Sequence, residues 1–188
     1  MRISGGEDRG RTLKAPRHKG LRPTSDKVRE ALFSILGEKV VGCSFLELFA
    51  GTGAVGIEAL SRGAGHAVFV DSSLKAARLI RENLDGLGYR DRAAVVSKDT
   101  LQFLKKTASG LGPFDLVFVD PPYHEDTGAK ALEAIGDGPD EGPDYLAQGA
   151  TVVFEHFKKY DAPDSVGRLA KIKDYRYGDT VLSVYLFG

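Results

Sequence analysis

The 188-residue chain has little cysteine, no net charge and no long apolar segment. Its single cysteine, Cys43, excludes a disulfide within the chain and offers no thiol cluster for a metal. No apolar run approaches the roughly 18 residues of a membrane-spanning helix. The basic, polar N-terminus lacks the apolar core of a secretory signal. We therefore expect a cytoplasmic protein that holds no metal and enters no membrane.

Charge is unevenly distributed although the chain as a whole is neutral. Residues 1–30 contain nine lysines and arginines against four acidic residues, and the remaining 158 residues carry the opposite excess. A basic arm on a mildly acidic body is typical of a protein whose one end meets phosphates. A solvated terminus would show the same charge, so composition leaves both interpretations open.

The hydrophobic pattern predicts one structural domain of the α/β class, made of a basic arm and helix (1–37) and a larger body (38–188). Arg2–Arg22 has no helical period and is interpreted as a loop or short hairpin. Apolar residues spaced by three and four predict a helix over 26–36. Beyond it, predicted strands at 45–49, 67–70, 93–96, 114–119, 150–154, 169–175 and 180–187 alternate with predicted helices at 54–62, 73–84, 100–106 and 130–135.

This alternation of continuous apolar strands with helices predicts a seven-stranded, mostly parallel sheet with helices on both faces. The last two strands, which flank Tyr177-Gly178-Asp179, predict a closing antiparallel hairpin. Such sheets bind ligands at the carboxyl ends of their strands. The chemically unusual residues follow those strand ends, so we expect the functional site there.

The first group of these residues is a glycine loop after the first predicted strand. Gly51, Gly53 and Gly56 form the pattern G-x-G-x-x-G, in which glycines let the backbone turn sharply and approach a nucleotide. Asp71 lies 20 residues beyond Gly51, where a carboxylate can accept both ribose hydroxyls. These features fit NAD equally well. Glu47 instead favours a ligand with a methionine-like tail, because its carboxylate would attract an ammonium group and repel a pyrophosphate. A tight turn whose glycines are incidental is the simpler alternative.

The second group, Asp120-Pro121-Pro122-Tyr123, ends the fourth predicted strand. Two prolines fix the backbone and remove two donors, which leaves carbonyls and the carboxylate as acceptors. An exocyclic amine needs such acceptors to orient its lone pair and to stabilise positive charge during alkylation. The flat ring of Tyr123 suits a base taken out of its stack. The pattern therefore predicts a site for a nucleobase amine; a rigid turn with an exposed tyrosine is the alternative.

Asp99 follows the third predicted strand. Its carboxylate is suited to an adenine amino group, and it is equally suited to capping the helix predicted over 100–106. The residue alone leaves both roles open.

Taken together, these segments identify a family. The chain resembles the bacterial 16S rRNA guanine-N2 methyltransferases of the RsmD type over nearly its whole length. The resemblance is carried by Arg2-Ile3-Ser4-Gly5-Gly6, Arg9-Gly10-Arg11, the segment 21–33 (LRPTSDKVREALF), the glycine-loop segment 47–63 (ELFAGTGAVGIEALSRG), the segment 118–123 (FVDPPY) and Tyr177-Gly178-Asp179-Thr180.

The resemblance implies a Rossmann-like class I methyltransferase fold for the body. It implies S-adenosylmethionine as cofactor, with S-adenosylhomocysteine as product, and one guanine of 16S rRNA as target within the 30S subunit or its assembly intermediate. A monomer is the default expectation. Two residues depart from the family pattern, since Glu47 stands where Asp is usual and Asp71 where Glu is common. Both keep the negative charge and change the length of the side chain.

Carried over position by position, the resemblance assigns three sets of residues. The target amine would be held by Asp120, Pro121, Pro122 and Tyr123. The cofactor would be bound by Thr24, Glu47, Phe49, Gly51, Gly53, Asp71, Ser72 and Asp99. The RNA phosphates would be gripped by Arg9, Arg11, Arg17, Lys19 and Arg22.

The expected mechanism is direct transfer of the methyl group to guanine N2, with rate enhancement from alignment and electrostatics and no covalent enzyme intermediate. Three other functions remain open. A DNA adenine-N6 or cytosine-N4 methyltransferase would use the same four-residue motif, although the chain has no target-recognition domain. A non-catalytic RNA-binding ribosome assembly factor and, more distantly, a NAD-dependent enzyme are the others.

The basic arm generates the first testable prediction. Replacing Arg9 and Arg11 by alanine should weaken RNA binding in a salt-dependent way, because fewer counterions are released from the phosphates, while cofactor binding survives. Titrations of RNA at several salt concentrations, with calorimetry of the cofactor, would measure both. RNA affinity that is unchanged across the salt range would contradict the assigned role of the arm.

Overall fold

The structure, a computed structural model, describes residues 1–15, 26–122, 126–139 and 144–188. The chain divides into two units, Met1–Lys98 and Asp99–Gly188. Five α-helices and eight strands fall within the described residues. None of these helices combines the length and apolarity needed to cross a membrane.

The first unit contains three parallel strands, β1 (Ser44–Leu48), β2 (His66–Asp71) and β3 (Ala93–Ser97). They pair in the order β3-β2-β1. The interior residues of β1 and β2 are almost fully buried, as a parallel strand covered on both faces requires. Both strands are short apolar runs, and this is why the sequence pattern located them to within a residue.

Three helices accompany these strands: α1 (Asp26–Leu36), α2 (Ala54–Ser61) and α3 (Leu74–Leu87). The bounds of α1 match the predicted helix, and Val28, Leu32 and Leu36 of its apolar stripe are buried. The hydroxyl of Ser73 caps α3 by accepting from the Ala76 backbone N–H, and Gly88 ends the helix in the left-handed region at φ 76°. Every residue of α2 is buried, including the charged Glu58.

Residues 1–15 form the hairpin that was predicted as one of two possibilities for the arm. The backbone N–H of Ile3 donates to the Arg11 carbonyl at 3.0 Å, and that of Gly10 donates to the Ile3 carbonyl at 2.8 Å. Ile3 and Leu13 are buried. This part of the arm is therefore packed on the first unit and is more than a solvated terminus.

The Glu58 carboxylate is the centre of a buried ion-pair network in the first unit. Arg29 Nε, on α1, donates to Glu58 Oε2 at 2.6 Å, and Arg62 Nη2 donates to Oε1 at 2.7 Å. Ser4, in the hairpin, donates through its backbone N–H and its hydroxyl. Burial alone would raise the pKa of Glu58, but these hydrogen bonds lower it below the ordinary value. Glu58 therefore joins the hairpin, α1 and α2 through one charge.

The second unit contains α4 (Thr100–Lys106), β4 (Phe114–Val119), α5 (Thr127–Asp137), β5 (Leu146–Phe157), β6 (Ser165–Val166), β7 (Leu169–Tyr177) and β8 (Thr180–Phe187). Strands β4 and β5 are parallel, and β5, β8, β7 and β6 continue as antiparallel neighbours in that order. The closing hairpin of β7 and β8 confirms the prediction. The chain thus has the α/β fold with parallel strands and an antiparallel C-terminal end that the sequence predicts.

Two features of the strands differ from the sequence prediction. Eight strands are present where seven were expected, because β6 is a two-residue strand too short to show a periodic pattern. Strand β5 has 12 residues where five were predicted, since its first half contains Gln148 and Gly149 and lacks an apolar run. Both differences arise where pairing with neighbours, and not composition, defines the strand.

A second polar network crosses the antiparallel strands of the second unit. His156 Nε2 lies 2.8 Å from the Ser183 hydroxyl, and that hydroxyl donates to Asp174 at 2.6 Å. His156 Nδ1 lies 3.1 Å from the Phe157 carbonyl oxygen. Burial lowers the pKa of His156, although the Phe157 carbonyl and Asp174 act in the opposite direction. The imidazole thus links strands β5 and β8 through Ser183.

Replacing Glu58 by glutamine should destabilise the protein by about 3 kcal/mol, because the buried Arg29 would lose its buried charged partner and keep only the exposed Asp26. Denaturant unfolding near neutral pH would measure the loss. Glu82→Gln is the matched control, since Glu82 forms an exposed pair with Lys14 and its loss should cost less than about 1 kcal/mol. Equal effects of the two substitutions would contradict a special role for the buried pair.

The lowered pKa of His156 predicts a pH dependence of stability. The unfolded chain binds a proton near pH 6.5, the ordinary value, whereas the folded state binds it at lower pH. The stabilisation is therefore complete above pH 6.5 and is lost as the pH falls toward the folded pKa. Thermal unfolding between pH 7.5 and 5 should show a steeper loss for the wild type than for His156→Gln; parallel curves would refute the prediction.

Candidate functional site

The glycine loop after β1 contains three residues in the left-handed backbone region. Phe49 has φ 57°, Gly51 has φ 51° and Gly53 has φ 72°. Glycine adopts such values without strain, but phenylalanine does so only where its surroundings enforce them, and such residues cluster at functional sites. The Gly53 backbone N–H closes the turn by donating to the Ala50 carbonyl at 2.7 Å. The loop therefore has one defined shape at the carboxyl end of β1.

Asp71 ends β2 and reaches this loop. Its Oδ2 accepts from the Gly51 backbone N–H at 2.8 Å, and its Oδ1 accepts from the Ser73 backbone N–H at 2.8 Å. The contact is possible because Leu48 of β1 is paired with Val70 of β2, which aligns the two strand ends. Asp71 is half-buried. Its carboxylate thus anchors the loop and keeps a partly exposed surface for a ligand.

Glu47 lies under the same loop. Its Oε2 accepts from the Gly56 backbone N–H at 2.8 Å, in the first turn of α2. A carboxylate at this position is stabilised by the positive end of the helix dipole. A side chain at position 56 would meet the Phe69 ring and the Glu47 carboxylate, so the third glycine of the motif is required for packing. Glu47 is buried and connects β1 to the start of α2, on either side of the loop.

One exposed residue near Asp71 escaped the sequence reasoning. Leu74, the first residue of α3, is 76% exposed. Ser72, which was predicted, is also exposed. Leu74 lies three residues after Asp71 and adds an exposed apolar side chain next to polar ones. The sequence does hold a signal, because Leu74 lies off the apolar face that Ala77, Ile80 and Leu84 form on the same helix.

The first three residues of the Asp-Pro-Pro-Tyr motif directly follow β4. Asp120 is half-buried, Pro121 is buried and Pro122 is exposed. Asp120 thus lies where the chain leaves the buried strand, and its role at a target amine stays a prediction. Tyr123, to which base stacking was assigned, lies outside the described residues.

Asp99 caps α4 by accepting from the Gln102 backbone N–H at 3.0 Å through Oδ1. This is the alternative that the sequence had left open, and it is compatible with a further contact through the rest of the carboxylate. The adenine contact stays a prediction.

The arm residues differ in their surroundings. Arg11 forms an ion pair with Asp8 at 2.8 Å and donates to the Gly86 carbonyl at 2.7 Å, so it fastens the hairpin to α3. Arg9 is exposed. The other residues assigned to the arm and its junction lie outside the described residues; they are Arg17, Lys19, Arg22 and Thr24.

Comparison of the fold with solved structures defines the class of protein. The yhhF protein of Escherichia coli superposes with a TM-score of 0.85 at 30% identity, covering 100% of this chain and 97% of that one. An RNA methyltransferase of Salinibacter ruber, solved with S-adenosyl-L-homocysteine, has a TM-score of 0.64 at 15% identity and 88% and 94% coverage, which relates the fold alone. The fold is that of the S-adenosylmethionine-dependent methyltransferases.

Sequence comparison then defines the family. The family model described as "Conserved hypothetical protein 95" matches residues 1–186. Ribosomal RNA small subunit methyltransferase D of Escherichia coli is 39% identical over 146 residues, 72% of either chain. YlbH of Bacillus subtilis is 37% identical over 187 residues, 98% of both chains. The chain belongs to this family, which is that of the RsmD-type rRNA methyltransferases.

Asp71 provides the prediction for this site. Asp71→Asn should lower cofactor affinity about tenfold, because the amide has a single acceptor oxygen and loses roughly one charge-assisted hydrogen bond. Calorimetric titration with S-adenosylhomocysteine would measure the change. Asp85→Asn is the control, since Asp85 is an exposed acid near the end of α3 that pairs with Arg90 beyond the helix. Wild-type affinity in Asp71→Asn would exclude Asp71 from the cofactor site.

Proposed function

We propose that the protein methylates the exocyclic N2 amine of one guanine in 16S rRNA, with S-adenosylmethionine as methyl donor. The observation that carries the proposal is the half-buried Asp120 carboxylate and the Asp-Pro-Pro backbone at the end of β4. The rRNA target is supported by the name of the Escherichia coli relative, a ribosomal RNA small subunit methyltransferase.

The residues of the first unit fit the cofactor. The left-handed turn leaves the backbone open at Gly51, where an added Cβ would meet only the Phe49 carbonyl oxygen at 3.9 Å. Asp71 adds a partly exposed carboxylate suited to ribose hydroxyls. A Cβ at Gly53 would lie 2.9 Å from Ile80 Cγ1, so the loop tolerates no larger residue there. Ser72 and Leu74 add polar and apolar surface beside Asp71. When bound, S-adenosylmethionine supplies a methyl group made electrophilic by its sulfonium.

Other residues complete the proposed cofactor site. Glu47 and Phe49 shape the loop, and the buried charge of Glu47 favours a cationic tail over a pyrophosphate. Asp99 would accept from the adenine amino group while it caps α4. Thr24 would close over the cofactor from the arm.

The amine is held by acceptors. Asp120 and the Pro121 carbonyl would accept from the two N2 hydrogens, which aims the nitrogen lone pair at the methyl group. The carboxylate also stabilises the positive charge that develops on nitrogen. Pro122 keeps the backbone rigid, and Tyr123 would stack on the guanine after it leaves its helix.

The substrate is proposed to be the 30S subunit or its assembly intermediate, acted on by a monomer in the cytoplasm. Arg9, Arg11, Arg17, Lys19 and Arg22 would bind phosphates. Of these, Arg9 and Arg11 are both exposed, and Arg11 also fastens the hairpin.

Transfer of labelled methyl from S-adenosylmethionine to 30S subunits lacking the modification, naked 16S rRNA and DNA tests the proposal. We expect label on RNA, recovered as N2-methylguanine. Asp120→Asn should reduce transfer at least a hundredfold, the cost of removing an electrostatic stabiliser of the transition state. Asp115→Asn, an exposed acid on the same strand, is the matched control and should retain activity.

The outcomes separate the alternatives. Label on DNA alone, as N6-methyladenine or N4-methylcytosine, would replace the proposal by a DNA methyltransferase. No label on any substrate, together with cofactor binding and full cellular function of Asp120→Asn, would support a non-catalytic ribosome assembly factor.

A further inference from the structure

Three aromatic rings cluster at the carboxyl end of β5. Phe154 stacks on His156 with ring centroids 5.1 Å apart. Tyr160, three residues beyond the strand, meets Phe154 at 5.8 Å and His156 at 5.4 Å, both edge to face. Phe154 and His156 are buried, whereas Tyr160 is 38% exposed. Tyr160 is therefore the outer ring of a cluster whose other two members belong to the core.

The cluster adjoins the segment proposed to hold the target amine. Strands β4 and β5 are parallel, and Val119 is paired with Phe154, so Asp120 and its prolines leave the sheet beside His156. The Pro121 ring and the Phe154 ring also pack against the same residue, Gly128 on α5, where an added Cβ would lie 2.7 Å from Pro121 Cγ and 3.0 Å from the Phe154 ring. Pro121 and the aromatic cluster thus pack against the same residue of α5.

Tyr160 is held by a backbone turn and by the contacts of its ring with Phe154 and His156. Its backbone N–H donates to the Phe157 carbonyl at 2.9 Å, which closes a turn. His156 Nδ1 lies 3.1 Å from the same oxygen, and its Nε2 is held by Ser183. A ring that packs against two others has less conformational freedom to lose on binding, which suits an aromatic contact residue.

The charges around Tyr160 decide what it can contact. The pKa of its hydroxyl is raised, first by burial and then by Glu133, Asp126 and Asp161, so the hydroxyl stays protonated. These three carboxylates would repel a phosphate that approached the ring. The uncharged face of a nucleobase suffers no such repulsion and gains from stacking on the ring.

We propose that Tyr160 stacks on a base that flanks the target guanine in the bound RNA, and so sets how the strand passes the Asp120–Pro122 segment. The inference rests on the proposed function, because it takes RNA as the substrate. It implies that the nucleotide beside the target is unpaired when bound, since only an unstacked base offers its face.

Steady-state methyl transfer to 30S subunits tests the contact. Tyr160→Leu should lower kcat/KM for RNA about tenfold, the size expected for one base–aromatic stack, and leave S-adenosylhomocysteine affinity unchanged. Tyr160→Phe keeps the ring and should stay within about twofold of wild type. Loss of function in both variants, or in neither, would overturn the proposal.

A second measurement reports the contact directly. The chain contains no tryptophan, so Tyr160→Trp introduces a single indole. Its fluorescence should be quenched at least twofold when 16S rRNA transcribed in vitro is added with S-adenosylhomocysteine, because stacked bases quench indole. Tyr175→Trp, on β7 and outside the ring cluster, is the matched control and should change little.

The two measurements distinguish failure of this inference from failure of the proposed function. If the wild type methylates RNA but Tyr160→Trp is not quenched by it, the stacking role is wrong and the function stands. If the wild type methylates no RNA, the proposed function fails; quenching of Tyr160→Trp would still support the RNA contact, and absence of quenching would overturn both.

Discussion

A buried carboxylate must be neutralised by its neighbours, and in the first unit this constraint falls on Glu58. Its partners come from the hairpin, from α1 and from its own helix, so one charge determines where three segments meet. Helix α2 also follows directly on the glycine loop. The position of the loop therefore depends on a charge network that lies outside the site and contributes no atom to it.

Within the loop, the same side chains maintain the fold and present the site. Asp71 accepts from the Gly51 and Ser73 backbones, and Glu47 accepts from Gly56 at the start of α2. Carboxylates that are held by backbone donors keep their orientation, which is the condition for precise binding of a polar ligand. The cost is that substitution of either residue disturbs both structure and function, so conservative variants are the informative ones.

The second unit builds its proposed site by a different means. Two prolines make the segment after β4 rigid, and aromatic packing against Gly128 supports it from behind. Hydrogen bonds from His156 to Ser183 and from Ser183 to Asp174 connect the aromatic cluster to the antiparallel strands. The C-terminal hairpin, which the sequence shows only as a closing element of the sheet, thus supports the edge where the target amine is proposed to lie.

Local patterns in the sequence determined the helices, most strands, the left-handed glycine turn and the family, because side-chain period and turn chemistry depend only on neighbours along the chain. The pairing of Arg29 with Glu58, the left-handed Phe49 and the meeting of Tyr160 with His156 were decided by the tertiary structure. Each polar or aromatic side chain has many possible partners in the sequence. Only the packed chain selects one, because burial penalises a charge that is left without a partner and favours aromatic rings that pack against one another.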